Sequence, residues 1–318
     1  MKYLLVDFGA SYIKTILFDR KYDTFSDKKY YDSPFLRNPS TTKTELMTIL
    51  SSIIKETPCD SVVICTILGG HYDGETYHSW KSNKTGCKNY CMISGLFSDS
   101  PTFHIHEHHR NFTESTKYQS GLGVLGYINN IPVRSSLGDT YCAINSISLE
   151  PDDVGINMGT GSQVFYTKDY NTVVQMYIPS GRAFFVFQNF FQEFGFDMFS
   201  YMSTISKDDV INSTLGIDLK VFSSAHNFVR GGSISPILEH TFNKNNFVSS
   251  IIREYTLQYR QFIPSRTKRI HLMGGILSKI NCLTDVFKHY YSEMDILSHN
   301  YSIENTHMGM SKLIKKYL

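Results

Sequence analysis

The chain has 318 residues, of which 41% are hydrophobic and 19% are charged, and its formal net charge is +2. This composition is that of a globular protein, and the scattered Lys and Arg argue against nucleic-acid binding. No apolar run approaches the ~20 residues that span a bilayer. The opening Met1–Asp7 is too short and too soon charged for a signal peptide. Six cysteines in a chain of this length predict free thiols in a cytoplasmic protein.

The first half of the chain is predicted to consist of strands around one long helix. Leu46, Leu50 and Ile53 recur at helical spacing, and Pro58 ends that helix. Between Gly69 and Thr116 the periodicity fails, so loops and short strands are expected there. The predicted strands are Tyr3–Asp7, Ile13–Asp19, Thr24–Tyr31 and Ser61–Thr66, and the predicted helices are Thr42–Glu56, Leu122–Ile128 and Asp139–Leu149.

The second half begins after the turn-forming residues Pro151–Asp153 and repeats the opening order of strands. We therefore predict two domains, residues 1–150 and 151–318. The predicted strands are Val154–Asn157, Ser162–Thr167, Val173–Ile178 and Ile270–Met273. The predicted helices are Gly181–Ser200, Lys207–Thr214, Asn245–Phe262, one through Leu283, Val286 and Phe287, and Glu304–Tyr317.

Two turns of similar design open the two halves, at Val6–Lys14 and Ile156–Gln163. Each reads as an apolar strand, a turn with Gly or Ser, and a return strand. Backbone N–H groups in such a turn can converge on an anion. One turn of this kind is typical of any hairpin, but two of them, one in each half, indicate a duplicated nucleotide-binding architecture.

The first turn carries two charged residues. Asp7 ends a buried strand, where a carboxylate can hold hydrated Mg²⁺; the alternative is a turn-capping Asp. Lys14 is predicted to lie across the hairpin from Asp7 and could reach a phosphate, although a solvated lysine at a sheet edge is the simpler interpretation.

The second turn, Asn157–Ser162, offers two glycine N–H groups and two hydroxyls within six residues, which favours phosphate contact. No Lys follows it, which argues against a P-loop ATPase.

Between the two turns, Asp139 is predicted at or near the N-cap of an apolar helix. The structural interpretation is a helix cap that contributes about 1 kcal/mol. The functional interpretation is a general base, kept ionised by the positive end of the helix. Spacing alone does not decide between the two.

Histidines alternate at His104, His106 and His108, with His109 adjacent, and Cys87 and Cys91 precede them. Three imidazoles on one strand face could trap a metal. No ligand spacing completes the set, so we expect a polar loop or edge strand without a structural metal.

Taken in order, these segments resemble the FGGY carbohydrate kinases, and within them the sedoheptulokinase-like branch. Asp7–Lys14 resembles the first phosphate motif, Ser136–Asp139 the segment with the catalytic base, and Asn157–Gln163 the second phosphate motif. The later landmarks that match in order are Gly181–Ala183 with Gln188–Phe191, Arg230–Ile234, Gly274–Gly275 and Glu304–Met310. The resemblance covers most of the chain.

The resemblance implies an α/β fold of two ribonuclease-H-like (actin-like ATPase) domains with a nucleotide cleft between them. It also implies ATP and Mg²⁺ as cofactors, Asp139 as the base and Asp7 as the residue that positions Mg²⁺ through water. The residues implied in nucleotide binding are Gly9, Ser11, Lys14, Gly159, Thr160, Gly161 and Ser162 at the phosphates, and Gly274 and Gly275 beside the adenosine.

The sugar side departs from the family. Ile67–Gly70 stands where many members carry Gln-Met-His-Gly, and Trp80–Asn83 stands where Trp-Gln-Asp-x-Arg is usual. The region between Thr66 and Gly138 is also shortened. We therefore expect His71, Asp73 and Trp80, together with the His-rich stretch, to help hold the acceptor in place of the family's residues.

The expected activity is ATP-dependent phosphorylation of a ketose such as a heptulose. A kinase for another sugar, polyol or modified carbohydrate is one alternative. A non-catalytic nucleotide-binding regulator with an actin-like fold is another. The expected partners are small molecules, with neither nucleic acid nor membrane, and a homodimer is the oligomer we allow for.

Overall fold

The computed structural model describes residues 1–9, 12–66, 70–79, 92–97, 122–134, 137–168, 171–222, 225–229, 231–299 and 303–318. These residues form two compact units. Unit 1 comprises Met1–Ser148 together with Asn305–Leu318, and unit 2 comprises Leu149–Glu304. The last helix, which the sequence placed with the second half, therefore packs in unit 1.

The strands are β1 (Lys2–Phe8), β2 (Tyr12–Asp19), β3 (Thr24–Asp32), β4 (Ser40–Thr42), β5 (Ser61–Thr66), β6 (Gly70–Asp73), β7 (Thr76–Ser79), β8 (Val124–Ile128), β9 (Ile131–Arg134), β10 (Leu137–Gly138), β11 (Asp153–Met158), β12 (Ser162–Lys168), β13 (Asn171–Ile178), β14 (Gly216–Ile217), β15 (Ile234–Ser235), β16 (Arg269–Met273) and β17 (Asp295–His299).

The helices are α1 (Lys43–Lys55), α2 (Ser94–Phe97), α3 (Asp139–Asn145), α4 (Gly181–Gln192), α5 (Met198–Met202), α6 (Lys207–Ile211), α7 (Lys244–Leu257), α8 (Leu283–Tyr290) and α9 (Asn305–Tyr317), with 3₁₀ turns at Pro34–Leu36 and Gln258–Phe262. No helix within the described ranges is both long and apolar enough to cross a membrane.

The main sheet of unit 1 has the order β3-β2-β1-β5-β9-β8, and β10 also pairs with β5. The hairpins β1–β2 and β2–β3 are antiparallel, whereas β1 and β5 are parallel. Alternate residues of β1 point to opposite faces. Leu4, Val6 and Phe8 enter the core that includes the buried side of α1, so Asp7 lies on the opposite face of the sheet.

Residues 122–128, predicted as a helix, instead contain strand β8, which forms an antiparallel hairpin with β9. The turn of this hairpin is Asn129–Asn130, and both residues have positive φ, at 51° and 63°. Two successive left-handed residues fit the type I′ turn that matches the twist of a hairpin. The short apolar run had no clear period, so the helix prediction was wrong.

The main sheet of unit 2 has the order β13-β12-β11-β16-β17. Here too two antiparallel hairpins are followed by a parallel pair, β11–β16. The predicted repetition of the opening architecture is therefore present in the strand order, in which β11, β12 and β16 correspond to β1, β2 and β5.

Helix α7 packs its predicted apolar face into the core of unit 2. Phe247, Ile251 and Tyr255 of α7 are buried, as is Tyr259 of the following 3₁₀ turn, and Phe262 of that turn packs against the same core.

The helix predicted over Gly181–Ser200 is two helices, α4 and α5. Gly195 adopts a positive φ of 69° after α4, and Asp197 caps α5 by accepting a hydrogen bond from the N–H of Ser200.

Candidate functional site

The first candidate corner, called the charged corner below, is the β1–β2 turn of unit 1 with Asp7 and Lys14 beside it. Asp7 and Lys14 face each other across the hairpin, as predicted, with Nζ of Lys14 4.0 Å from Oδ2 of Asp7. Asp7 is only 8% exposed. The N–H of Gly9 donates to the carbonyl of Tyr12 at 3.0 Å, and a Cβ on Gly9 would lie 2.8 Å from that oxygen. Glycine therefore lets this turn close tightly.

Asp7 receives further hydrogen bonds from distant parts of unit 1. The hydroxyl of Thr306 donates to Oδ2 at 3.1 Å, and the thiol of Cys65 donates to Oδ1 at 3.6 Å. A hydrogen bond with Cys142, together with burial, holds the pKa of the Cys65 thiol well above its usual value. Cys65 therefore stays a neutral donor to the Asp7 carboxylate.

Asp139 lies on the same unit, at the start of α3 and directly after β10, whose pairing with β5 brings Gly138 beside Thr66. The N-cap is Gly138, so Asp139 is the first helical residue rather than the cap. Its Oδ1 accepts hydrogen bonds from the N–H of Thr140 at 2.6 Å and from the Thr140 hydroxyl at 3.3 Å.

Asp139 has an environment suited to proton transfer. Burial of the carboxyl group, reinforced by the negative charge of Asp7, raises its pKa to about 6, against the opposing effect of the hydrogen bonds from Thr140. The residue keeps part of its surface exposed, although the carboxyl group itself is largely surrounded by protein atoms. We expected Asp139 to be ionised near neutral pH; a pKa of about 6 is compatible with that expectation, and it is close to the pH at which a general base works best.

Helix α9 brings residues from the far end of the chain to this corner. His307, which is fully buried, contacts the carbonyl of Lys14 through Nε2 at 3.2 Å. A Cβ built on Gly309 would overlap the carbonyl oxygen of Cys142 in α3. Glycine thus allows α9 to pack directly on α3, which positions Thr306 at Asp7. Sequence reasoning missed Thr306 and His307, although the Glu304–Met310 segment stood among the family landmarks.

The second candidate corner, called the neutral corner below, is the β11–β12 turn of unit 2. The carbonyls of Gly159 and Thr160 accept hydrogen bonds from the N–H groups of Gly181 at 3.1 Å and Arg182 at 2.8 Å, at the start of α4. Within the described part of the chain, no hydrogen bond uses the N–H groups of Thr160 and Gly161. These two donors can therefore bind an anion.

Gly274 and Gly275 follow β16 next to this turn. Gly274 has a φ of 103°, and a Cβ there would lie 2.5 Å from the carbonyl oxygen of Met158. Around Gly275, by contrast, a Cβ would meet nothing within 4 Å. The first glycine is needed for the close approach of the backbone to β11, and the second leaves open space that an adenosine could occupy.

Ser162 turns its hydroxyl into unit 2. It accepts a hydrogen bond from the Tyr259 hydroxyl at 2.7 Å and lies 3.2 Å from the Tyr255 hydroxyl. Tyr255 also contacts the hydroxyl of Ser180 at 3.0 Å, just before α4. This buried network connects both ends of the anion-binding segment to α7 and the 3₁₀ turn that follows it. Only their apolar spacing marks the two tyrosines in the sequence.

Two of the residues predicted at the acceptor, His71 and Asp73, lie in the β6–β7 hairpin of unit 1. Asp73 lies near the tip of the β6–β7 hairpin, in a separate sheet of order β4-β7-β6, with its carboxylate 4.0 Å from Nε2 of His78. His71 lies on β6, opposite His78. Ser11, Trp80, Cys87, Cys91 and the histidines at 104–109 fall outside the described residues. The other four cysteines are free thiols.

The charged corner offers a carboxylate of the kind that hydrated Mg²⁺ takes. Within the described ranges, no three His, Cys, Asp or Glu side chains are grouped so as to hold a metal ion. Mg²⁺ keeps several waters and takes one or two carboxylates plus substrate phosphates. Asp7, whose charge acts on Asp139, offers such a carboxylate.

Comparisons with known proteins place the fold. No protein-family model and no curated protein matches the sequence. Solved structures do match it: a xylulose kinase from Lactobacillus acidophilus has a TM-score of 0.70 at 11% identity, covering 98% of this chain and 89% of that chain. A gluconate kinase from the same organism gives 0.69 at 10% identity, covering 99% and 89%. Plasmodium falciparum glycerol kinase with ADP gives 0.67 at 14%, covering 98% and 88%. The chain therefore has the two-domain, actin-like α/β fold of these carbohydrate kinases, as the sequence predicted.

Proposed function

We propose that the protein is an ATP- and Mg²⁺-dependent carbohydrate kinase in which Asp139 is the general base. The observation that carries this proposal is the Asp139 carboxyl group, whose pKa of about 6 suits proton abstraction near neutral pH. Thr140 fixes the carboxyl group by donating twice to Oδ1. A regulator that only binds nucleotide has no need of such a group.

Several residues share the work in the proposed reaction. Asp139 takes the proton from an acceptor hydroxyl while that oxygen attacks the γ-phosphorus of ATP, and ADP leaves. Lys14 and the N–H groups of Thr160 and Gly161 are our proposed contacts to the phosphates of the nucleotide. Phosphoryl transfer depends mostly on positioning and charge neutralisation. Mg²⁺, when bound, supplies neutralisation of the phosphate charge, and Asp7 would hold it through water.

Each remaining nucleotide residue has a specific role in this proposal. Gly9 closes the first turn, Gly159 joins the second turn to α4, and Ser162 acts through its buried hydroxyl by fixing the turn rather than by touching phosphate. Gly274 and Gly275 would receive the adenosine. Ser11 belongs to the same first turn in sequence.

The acceptor we propose is the primary hydroxyl of a ketose such as a heptulose, as in the sedoheptulokinase-like branch. Support comes from the ordered sequence landmarks, whereas the changed segments at 67–70 and 80–83 favour a different sugar, polyol or modified carbohydrate as the second candidate. His71, Asp73 and Trp80 stay our proposed acceptor contacts. Free thiols at the described cysteines fit the cytoplasmic location that we propose.

The direct test is a screen of ketoses, including a heptulose, with aldoses and polyols, in which ADP release is coupled to a spectroscopic readout. We expect Mg²⁺-dependent ADP release with at least one acceptor and a product heavier by one phosphoryl group in mass spectrometry. Asp139→Asn is the negative control. ATP binding without turnover on any acceptor would instead favour the nucleotide-binding regulator.

A further inference from the structure

The outer face of α4 is unusually apolar for a surface helix. Phe185, Val186 and Phe190 are 58%, 42% and 53% exposed, and Phe194, just after the helix, is 71% exposed. The inner face of the same helix is already filled, because Ala183, Phe184, Phe187 and Gln188 are buried. These exposed residues therefore do not belong to the core of unit 2.

The size of this face is that of an interaction surface. The exposed fractions of Phe185, Phe190 and Phe194 add up to almost two whole phenylalanine side chains. At ~150–250 Å² for each side chain, the exposed apolar area is about 300–450 Å². A patch of about this size is as large as the largest on most monomers and is often functional. It would supply about half of the ~800 Å² that each partner buries in a stable interface.

The face is held rigidly by ring contacts that reach into the core. Phe190 contacts Phe194 and Phe191, with centroids 5.3 Å and 5.5 Å apart, and Phe191 contacts Phe247 of α7 at 5.2 Å. Side chains that are already ordered lose little conformational entropy on association.

The face is also complementary to itself. The exposed positions of α4 and its C-cap begin with Arg182 and end with Glu193, and between them lie Phe185, Val186, Asn189, Phe190 and Gln192. A two-fold axis that crosses α4 between residues 187 and 188 pairs the helix with an antiparallel copy. Because the axis brings together residues on the same flank of the helix, it places Arg182 opposite Glu193, Val186 opposite Phe190, and Phe185 opposite Asn189, each pair occurring twice.

We propose that the outer face of α4 is the interface of a homodimer in which two copies of α4 pack antiparallel. The occupant is a second copy because Val186 meets Phe190 on both sides of the axis and opposite charges meet at both ends. A membrane-surface helix would instead need a basic flank, whereas this stripe carries one positive and one negative charge. The proposal is independent of the kinase reaction.

The first test is sedimentation velocity on the full chain at micromolar concentration. We expect the parent to be a dimer, and Phe190→Glu to weaken dimerisation by more than ~100-fold, since a central aromatic is lost twice and two carboxylates are brought together. Val229→Glu is the matched control, because Val229 is 80% exposed in unit 2 but lies outside α4; it should leave the dimer intact. Circular dichroism checks that both variants fold.

The second test fixes the antiparallel register. Arg182→Glu and Glu193→Arg should each weaken dimerisation by about tenfold, because each creates two like-charge contacts. The double variant should restore it. Arg182 also lies over the ring of Phe222 at 4.5 Å, so rescue by the second exchange separates interface charge from that contact. A monomeric parent, a dimer that survives Phe190→Glu, or a double variant weaker than both single ones would each overturn the proposal.

Discussion

The two units build the same corner with different chemistry. In unit 1 the β1–β2 hairpin places Asp7 opposite Lys14, and in unit 2 the β11–β12 hairpin places Asn157 opposite Gln163. The first pair is ionic, with a 4.0 Å separation, and the second is an amide pair, in which Nδ2 of Asn157 donates to Oε1 of Gln163 at 2.8 Å. Equivalent positions thus carry full charges in one unit and neutral dipoles in the other.

Under the proposed function, this difference corresponds to a division of roles between the two units. The charged corner lies in the same unit as Asp139 and can attract a cation, whereas the neutral corner presents backbone donors without a carboxylate to repel phosphate. A duplicated fold can therefore keep its geometry in both copies and specialise one for chemistry and the other for nucleotide binding. Exchanging the paired residues between the two corners, or replacing Asp139, tests this comparison.

The largest effect should follow from Asp139→Asn, which removes the proposed general base of unit 1. Asn can still accept from the N–H of Thr140, so α3 should be retained. We expect kcat to fall by ~10²–10⁴-fold, as is typical when a general base is lost, while the dissociation constant for ATP stays unchanged in calorimetry. The exposed Asp285→Asn is the control. A variant that turns over near the parent rate would remove Asp139 from the mechanism.

The next effect should follow from giving unit 1 the amide pair of unit 2. We expect Asp7→Asn/Lys14→Gln to fold and to lose about 10–100-fold in activity, the usual cost of removing a group that holds a metal through an outer shell. The concentration of Mg²⁺ needed for half-maximal rate should rise.

The reciprocal exchange is the matched control for this change. Asn157→Asp/Gln163→Lys should fold but bind ATP more weakly, because a new carboxylate faces the phosphates. Equal Mg²⁺ dependence in the parent and the unit 1 double variant would contradict the role of Asp7.

A third contrast lies between two adjacent glycines of unit 2. Gly274→Ala should lower the free energy of unfolding by about 1–3 kcal/mol, because its φ of 103° and the nearby Met158 backbone leave no room for Cβ. Gly275→Ala meets open space and should leave the melting temperature within a degree or two of the parent. If adenosine packs there, however, Gly275→Ala should reduce the rise in melting temperature that saturating ATP and Mg²⁺ cause. If ATP and Mg²⁺ raise the melting temperature equally in the parent and in Gly275→Ala, adenosine does not pack against Gly275.

The smallest effect concerns pH. If Asp139 is the base, kcat/KM should fall about tenfold per pH unit below pH 6, because the carboxylate is then protonated. The negative charge of Asp7 contributes to the raised pKa, so Asp7→Asn should move this acidic limb to lower pH.

The raised pKa of Asp139 affects activity and stability in opposite directions, because lower pH reduces activity but favours the folded state. A carboxyl group whose pKa is raised on folding favours the folded state below its unfolded value of 3.8, and this contribution disappears as pH rises through about 6. Removal of Asp139 should therefore flatten the change in unfolding free energy between pH 4 and about 6. An unchanged slope would contradict the burial of this carboxyl group.

The local parts of both corners could be predicted from sequence. The alternation of β1 and β2 about a glycine turn determines which residues face each other, so the Asp7–Lys14 pairing followed from spacing alone. The second turn was found in the same way. Such features depend on residues that are close in the chain.

Features that depend on distant residues could not be predicted. Thr306 reaches Asp7 across 299 residues, and no local pattern connects them. The raised pKa of Asp139 depends on burial and on the proximity of Asp7, neither of which spacing reveals. The hairpin at Asn129–Asn130 was missed because a run of five mostly apolar residues has no period that distinguishes strand from helix.

The packing of α9 on α3 has a consequence for synthesis of the chain. Unit 2 is inserted within unit 1, and the ribosome makes α9 only after all of unit 2 has been translated. Until then Asp7 lacks the Thr306 hydroxyl, and α3 exposes the surface that Gly309 will cover. The unit that begins first is thus the last to be completed, so a nascent chain could fold unit 2 while the candidate catalytic corner is still unfinished.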